Sequence, residues 1–78
     1  MPTVLRFGPY RFFFYSSEGD EPRHVHAQRD DRVAKFWLEP LRLESTKRFS
    51  TPELRRLRRI IERHHRVLIR RWDEYFDR

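Results

Sequence analysis

The last third of the chain carries a helix signal that no other segment approaches. Ser50-Thr51-Pro52-Glu53 matches a capping box, in which the serine oxygen accepts an amide hydrogen of the first turn and the glutamate reaches back to the serine amide. From Thr51 to about Asp77 there is no glycine and no further proline. The pattern predicts one long helix of about 27 residues, which would be about 40 Å long.

This helix is predicted to be amphipathic. At about 100° per residue, one half of its circumference is apolar and the other is rich in arginine. The apolar half carries Leu54, Leu57, Ile60, Ile61, His64, Val67, Leu68, Trp72 and Tyr75. The other half carries Arg55, Arg56, Arg59, Arg63, Arg66 and Arg70. The apolar half indicates a buried face, and the arginine half is either a solvated surface or a surface for an anionic partner.

The length of this helix conflicts with the size of the chain. A globule of 78 residues has a radius of gyration of only about 11–12 Å, so an unbroken helix would overhang the rest of the molecule. Either the helix breaks near His64-His65, or its end, with Trp72 and Tyr75-Phe76, packs on a second copy of the chain or on another protein.

Short strands are predicted before the helix. The aromatic segment 10–15 indicates a buried strand, and segment 3–7 could form another before the Gly8-Pro9 turn. A period-two alternation of side chains predicts strands over 24–28 and 32–38, separated by a turn at Asp30-Asp31. Pro40 either ends the second strand or leaves it at a sheet edge. Residues 41–43 could add a short extended piece. We therefore expect an α+β fold, a single domain over 1–78, with a small antiparallel sheet of three to four short strands packed by one long C-terminal amphipathic helix.

Composition limits the kinds of site and the compartment. Cysteine is absent, which excludes disulfides and thiolate zinc sites. The longest apolar run, Phe12-Phe13-Phe14-Tyr15, is too short to span a bilayer, and no apolar leader is recognisable, so we expect no membrane association and a cytoplasmic location. Lysine and arginine outnumber aspartate and glutamate by 18 to 12, which gives a net charge of +6. Nucleic acid and acidic proteins are both compatible with this balance.

The segment Pro22-Arg23-His24-Val25-His26 is the main candidate for chemistry. On a strand, His24 and His26 would point to the same side. Paired imidazoles can fix a loop by hydrogen bonds, act as general acid and base, or bind a metal. A metal would need a third ligand, for which nearby carboxylates are available. These are Asp20, Glu21, Asp30 and Asp31. We assign no metal or cofactor at this stage.

Two other groups could contact a nucleic acid. Lys35 and Trp37 share one face of their predicted strand, where the indole could stack on a base. The helix arginines Arg55, Arg59, Arg63, Arg66 and Arg70 could bind phosphates or an acidic protein. His64 and His65 fall toward the apolar half of the helix, and we expect them to be packed.

The order of these motifs resembles a known bacterial family, the family of domains of unknown function numbered forty-one sixty. The resemblance is carried by the aromatic strand Phe12-Phe13-Phe14-Tyr15, by the Pro-x-His-x-His segment, by the strand Ala34-Lys35-Phe36-Trp37-Leu38 and by the terminal helix ending in Trp72. It covers nearly the whole chain. Arg23 departs from the family, many members of which have a second proline there.

The resemblance implies the toxin component of a type II toxin–antitoxin module, because genes of this family commonly lie beside a second small gene. Such a toxin would act on RNA or translation and be neutralised by a small, acidic, antitoxin-like partner. Whether it is an enzyme stays open. If it is a ribonuclease, His24 and His26 would be the acid and base and Arg23 would stabilise the phosphorane. The alternative is a non-catalytic basic module that binds nucleic acid or protein.

Overall fold

The computed structural model describes residues 3–77, in which five strands precede two helices. The strands are β1 (Thr3–Phe7), β2 (Tyr10–Phe13), β3 (His24–Arg29), β4 (Arg32–Leu38) and β5 (Leu41–Lys47), and the helices are α1 (Thr51–Arg63) and α2 (His65–Phe76). Each strand pairs antiparallel with the next, in the order β1-β2-β3-β4-β5. The α+β class is therefore confirmed, and the sheet has one strand more than the three to four that we predicted.

Tight turns connect β1 to β2, β3 to β4 and β4 to β5, whereas a longer segment, residues 14–23, connects β2 to β3. Gly8, between β1 and β2, has a φ of 57°, a conformation that glycine adopts without a steric penalty. Asp30, between β3 and β4, has a φ of 54°, which aspartate tolerates better than most residues. Pro40 lies between β4 and β5 and ends β4 as expected. These short links keep consecutive strands adjacent in space.

The strand that the sequence indicated least clearly is β5. Only residues 41–43 suggested an extended segment, whereas β5 continues to Lys47. Its second half, from Glu44 to Lys47, is polar and exposed, so no buried face marks it. The strand is held by its backbone pairing with β4, which contains an irregularity between Lys35 and Phe36.

The predicted helix start is correct in part. The Ser50 side chain accepts a hydrogen bond from the Glu53 amide, at 3.3 Å. The Glu53 carboxylate does not complete the capping box. It accepts hydrogen bonds from Tyr10, Arg29 and Arg32 at 3.0, 3.2 and 2.8 Å. Glu53 therefore ties α1 to the sheet instead of capping its own helix.

The predicted C-terminal helix is present but is interrupted at His64, which divides it into α1 and α2. This residue lies between α1 and α2 with φ −110° and ψ 20°, and its Nδ1 lies 2.9 Å from the Ile60 carbonyl oxygen. The next residue, His65, places Nε2 2.6 Å from the carbonyl oxygen of Leu38, at the end of β4. The break shortens each helix to a length that fits a molecule whose longest dimension is 34 Å. It is the first of the two outcomes that we considered.

Both helices pack on one face of the sheet and form the core with it. The sheet contributes Tyr10, Phe12, Val25, Ala27, Ala34, Phe36 and Leu38 to this core, Phe14 joins it directly after β2, and the helices contribute Leu57, Ile60, Ile61, Leu68 and Trp72. Trp72 is buried, whereas Tyr75 is 47% exposed. The end of α2 thus packs largely within its own chain. No helix among residues 3–77 is long and apolar enough to cross a membrane.

Candidate functional site

Three side chains, Glu18, His24 and His26, meet at one point beside the sheet. Oε1 of Glu18 lies 2.9 Å from Nε2 of His24 and 3.0 Å from Nε2 of His26. The second carboxylate oxygen of Glu18 lies 3.1 Å from the same nitrogen of His26. One ligand-type atom from each residue therefore falls within 4.8 Å of the other two. We call this group the histidine–glutamate cluster.

Local structure explains why the three residues meet. His24 and His26 alternate on β3 and point to the same side, as the strand period requires. Glu18 ends a short 3₁₀ turn, Ser16–Glu18, that follows β2. Its Oε1 accepts a hydrogen bond from the Tyr15 amide at 2.9 Å, which folds the carboxylate back toward the sheet.

His24 is inaccessible to solvent, with a relative exposure of 0%. Its ring packs against Trp72 and Trp37, at centroid distances of 4.8 and 5.6 Å. Nδ1 lies 2.9 Å from the Pro22 carbonyl oxygen, which can only accept, so Nδ1 carries a hydrogen. Nε2 is close to Glu18 but has no partner in hydrogen-bonding geometry among residues 3–77.

His26 is slightly more accessible to solvent than Glu18. The side chains of His26 and Glu18 are 16% and 13% exposed. The imidazole stacks on Phe13 at 5.3 Å and meets the edge of Tyr15 at 4.9 Å. His26 also lines a shallow groove of about 270 Å³ between β4 and β5, together with Lys35 and Lys47. Any molecule that reaches the cluster along this groove therefore meets His26 first.

The protonation states of Glu18 and His26 are set by burial and by their mutual contact. Burial alone would raise the pKa of Glu18. The neighbouring His24, the Tyr15 amide and His26 outweigh it and hold this pKa below its usual value. Burial lowers the pKa of His26, although Glu18 partly opposes it. At neutral pH the cluster therefore contains a carboxylate and a neutral His26 imidazole.

The predicted catalytic residue Arg23 does not join the two histidines. Its Nε lies 2.7 Å from Asp73 Oδ1, on α2, and its Nη1 lies 3.0 Å from Glu39 Oε1. Arg23 thus extends toward the helix side of the sheet, whereas His26 lies on the opposite face with its cross-strand neighbours Phe13 and Lys35. We call this opposite face the open face.

Lys35 and Trp37 both lie on the open face, but the charge of Lys35 is already engaged. Lys35 Nζ lies 2.7 Å from Glu21 Oε1 and 4.6 Å from the centroid of the Trp37 ring. Its side chain is only 17% exposed. Because an ion pair and an aromatic ring both hold this ammonium group, Lys35 is a weaker candidate for binding phosphate than an unpaired arginine.

The predicted helix arginines are exposed and carry no ion pair within residues 3–77. The arginines of the predicted face, all of them exposed, are Arg55, Arg56, Arg59, Arg63, Arg66 and Arg70. We call it the arginine surface. Arg66 and Arg70 border a cleft of about 530 Å³ that also contains Asp73 and Glu74. The remaining four lie on α1, whose only acidic residue beyond its first turn is Glu62.

An exposed aromatic ring that we did not predict as a site lies next to the arginine surface. Phe7, at the end of β1, is 40% exposed. It borders a depression of about 240 Å³ together with Arg56, Arg59 and Arg63. Its ring meets the edge of His64 at 5.4 Å. Nothing in the local sequence pairs Phe7 with α1, because the two meet only through the tertiary fold.

Glu18 is the second residue that sequence reasoning missed. We named Asp20, Glu21, Asp30 and Asp31 as possible partners of the paired histidines. In the structure, Glu21 binds Lys35 and Asp31 binds Arg48. The carboxylate that reaches both imidazoles comes from the turn after β2. In the sequence, Glu18 is one of three acidic residues between the predicted strands over 10–15 and 24–28, and no local pattern singles it out.

Comparison with known proteins assigns the chain to a family. The profile of the family described as "Domain of unknown function (DUF4160)" matches residues 10–73. This match includes β2, the histidine–glutamate cluster and most of both helices. The chain therefore belongs to this family, as its motifs suggested. No curated protein and no solved structure matches the chain significantly.

Proposed function

We propose that this member of the DUF4160 family binds RNA through its arginine surface, and that it is the toxin component of a two-protein module. A small acidic partner would neutralise it by covering the same surface. The observation that carries the proposal is a set of exposed arginines on two consecutive helices that form no ion pair with any residue of the segment 3–77.

Several cations of the sheet and its loops, unlike the arginines of α1, are paired with carboxylates. Arg23, Arg29, Arg32, Lys35 and Arg48 all contact a carboxylate. In the part of the chain that the structure describes, the arginines of α1 form no ion pair, and their mutual repulsion is relieved only by counterions or by a bound anion. Guanidinium groups bind phosphate through paired hydrogen bonds. A polyanion is thus the ligand that this surface fits.

The depression beside Phe7 favours RNA over a purely acidic protein as the target. Single-stranded RNA is bound by a combination of backbone phosphate contacts and stacking of bases on exposed aromatic rings. Phe7 offers a ring, and Arg56, Arg59 and Arg63 offer charges around it. We expect one base to stack on Phe7 while the flanking phosphates contact these arginines.

The same surface explains how a partner would neutralise the protein. An acidic partner would contact the arginines that RNA needs, so the two ligands would compete. Complementary charge also speeds association. This part of the proposal depends on the toxin–antitoxin arrangement that the family resemblance implies.

A ribonuclease is the second candidate, because one observation favours it. His26 is partly exposed and lies 3.0 Å from the Glu18 carboxylate, an arrangement suited to proton transfer. His24 is buried, so it would act by positioning Glu18 and not by touching the substrate. The open face and the arginine surface lie on opposite sides of the sheet, so this activity would need a second RNA contact.

The proposal is tested by removing charge at matched positions. The variant Arg59→Gln/Arg63→Gln neutralises two residues of the arginine surface, and Arg6→Gln/Arg42→Gln removes the same charge from the open face. We expect the affinity for a short unstructured RNA to fall at least about 10-fold in the first variant only, since each charged contact contributes about 1.5–3 kcal/mol. Equal losses in both variants would show that net charge, and not this surface, determines binding.

Growth of a bacterial culture after induction tests the toxin role with the same proteins. We expect arrest by the parent chain and by Arg6→Gln/Arg42→Gln, and normal growth with Arg59→Gln/Arg63→Gln at equal expression. If His26→Ala restores growth while it retains RNA binding, the ribonuclease candidate replaces simple binding. Normal growth with the parent chain would contradict the toxin role.

A further inference from the structure

We propose that the histidine–glutamate cluster is a binding site for a divalent transition-metal ion such as Zn²⁺. Its ligands would be a carboxylate oxygen of Glu18 and the Nε2 atoms of His24 and His26. This goes beyond the proposed function, which depends on the arginine surface on the other side of the molecule.

The first argument is the hydrogen-bonding state of His24. Nδ1 donates to the Pro22 carbonyl oxygen at 2.9 Å, so in a neutral ring Nε2 carries a lone pair. This nitrogen is buried, without a hydrogen-bond partner among residues 3–77, and lies 2.9 Å from Oε1 of Glu18. A cation bound by both atoms would give this buried nitrogen a partner and would use the carboxylate oxygen next to it.

The second argument is the fit of the distances. Zn²⁺ bonds to imidazole nitrogen and carboxylate oxygen are about 2.0–2.2 Å, so ligand atoms at the corners of a tetrahedron lie about 3.3 Å apart. The Glu18 oxygen lies 2.9 Å from one imidazole nitrogen and 3.0 Å from the other. Outward shifts of a few tenths of an ångström would therefore open a site of the right size.

The third argument is the support behind the ligands. Histidines that bind metals usually donate their other ring N–H to a carbonyl or carboxylate, which fixes the ring and its tautomer. His24 does this with Pro22. The Glu18 carboxylate is likewise held by the Tyr15 amide. The nearest lysine, Lys35, is neutralised by its ion pair with Glu21, which limits its repulsion of a bound cation.

The ligand set indicates the class of metal. Two imidazoles and one carboxylate suit zinc, iron or nickel, whereas magnesium and calcium prefer sites built of oxygen atoms. Three protein ligands leave a coordination position for water, as in catalytic zinc sites. Because His26 also lines the groove between β4 and β5, a bound ion would lie where the groove meets the cluster.

The test is a calorimetric titration of chelator-treated protein, prepared without a histidine tag, with Zn²⁺ and separately with Mg²⁺. We expect one equivalent of Zn²⁺ to bind and no binding of Mg²⁺. The ligand variants Glu18→Gln and His26→Ala should weaken Zn²⁺ binding by at least about 100-fold, more than the effect typical of an outer-shell change. The control His65→Gln, which alters a histidine outside the cluster, should bind like the parent. Equal affinity in the folded ligand variants would overturn the proposal.

A second measurement uses the parent protein alone, so its result does not depend on whether a variant folds. In ¹⁵N-histidine NMR spectra of the parent protein, one equivalent of Zn²⁺ should shift the Nε2 resonances of His24 and His26. The resonances of His64 and His65 should stay in place. Unchanged resonances for His24 and His26 at saturating Zn²⁺ would overturn the proposal.

Discussion

Nε of Arg23 lies 2.7 Å from Oδ1 of Asp73 and so joins the start of β3 to the last turns of α2. Nη1 of the same guanidinium pairs with Glu39. The side chain of Arg23 therefore extends to the helix side of the sheet, where the ring of His24 also meets Trp72, whereas His26 lies on the open face. This relationship places the Arg23 guanidinium away from His26.

Replacing Arg23 by alanine should change stability slightly and leave RNA affinity almost unchanged. The side chains of Arg23 and Asp73 are 36% and 28% exposed, and partly exposed ion pairs contribute about 0–1 kcal/mol. We expect the free energy of unfolding in urea to fall by no more than about 1 kcal/mol. An RNA affinity reduced as strongly as in Arg59→Gln/Arg63→Gln would place Arg23 in the binding surface after all.

Trp72 should be among the most costly residues to truncate. It is 1% exposed and packs against Phe14, His24 and Phe76 at centroid distances of 5.1, 4.8 and 4.4 Å. Trp72→Ala should lower the free energy of unfolding by about 3–5 kcal/mol, a large part of the total for a domain of this size. Thermal and urea unfolding would measure this loss.

The matched control for Trp72 lies one turn further along α2. Tyr75 is an aromatic residue of the same helix but is 47% exposed. Tyr75→Ala should cost less than about 1 kcal/mol, as is usual for exposed positions. If Tyr75→Ala were as destabilising as Trp72→Ala, the end of α2 would be covered, which would favour a dimer or a partner at this end.

Glu53 should make stability depend on pH in the acid range. Burial alone would raise the pKa of Glu53, but the Tyr10 hydroxyl and the charges of Arg32 and Arg29 outweigh it and lower this pKa from its ordinary value of 4.5. Because the folded state holds the carboxylate ionised, its contribution is present above pH 4.5 and is lost as the pH falls through the lowered pKa. Melting temperatures of the parent and Glu53→Gln should differ at pH 7 and converge below that pKa.

A charge-matched control isolates the role of Glu53. Glu44→Gln removes the same charge from an exposed position on β5. At pH 7 it should lower the melting temperature much less than Glu53→Gln does. If the difference in melting temperature between the parent and Glu53→Gln did not become smaller on acidification, the contacts with Tyr10, Arg29 and Arg32 would not depend on the ionised carboxylate.

The sequence predicted strands in which buried side chains alternate along the chain, and it predicted the start of the helix that a side chain caps. The buried alternation of Ala34, Phe36 and Leu38 marks β4, and the Ser50 cap marks the start of α1. The break at His64 depends on contacts that the helical pattern does not encode. There, His65 meets the end of β4 at the Leu38 carbonyl oxygen. The apolar stripe continues through this point, so the pattern alone predicts an unbroken helix.

The candidate sites likewise contain residues that the sequence indicates and residues that only the fold brings to the site. His24 and His26 share a side because of the strand period, which a sequence shows directly. Glu18 reaches them only because the turn after β2 folds it back onto the Tyr15 amide. Similarly, the exposure of Arg59 follows from helix periodicity, whereas Phe7 joins it only in the folded chain. Residues brought together by loops and by packing between elements are not visible in local patterns.

The central claim, that the arginine surface binds RNA, is tested most directly by the salt dependence of binding. The logarithm of the binding constant for a short single-stranded RNA should fall linearly with the logarithm of salt concentration, by about 0.7 per phosphate contact. Arg59→Gln/Arg63→Gln should reduce this slope by about 1.4, the value for two lost contacts. Arg6→Gln/Arg42→Gln should leave the slope unchanged. A parent slope near zero, or the same slope in Arg59→Gln/Arg63→Gln as in the parent, would contradict the account.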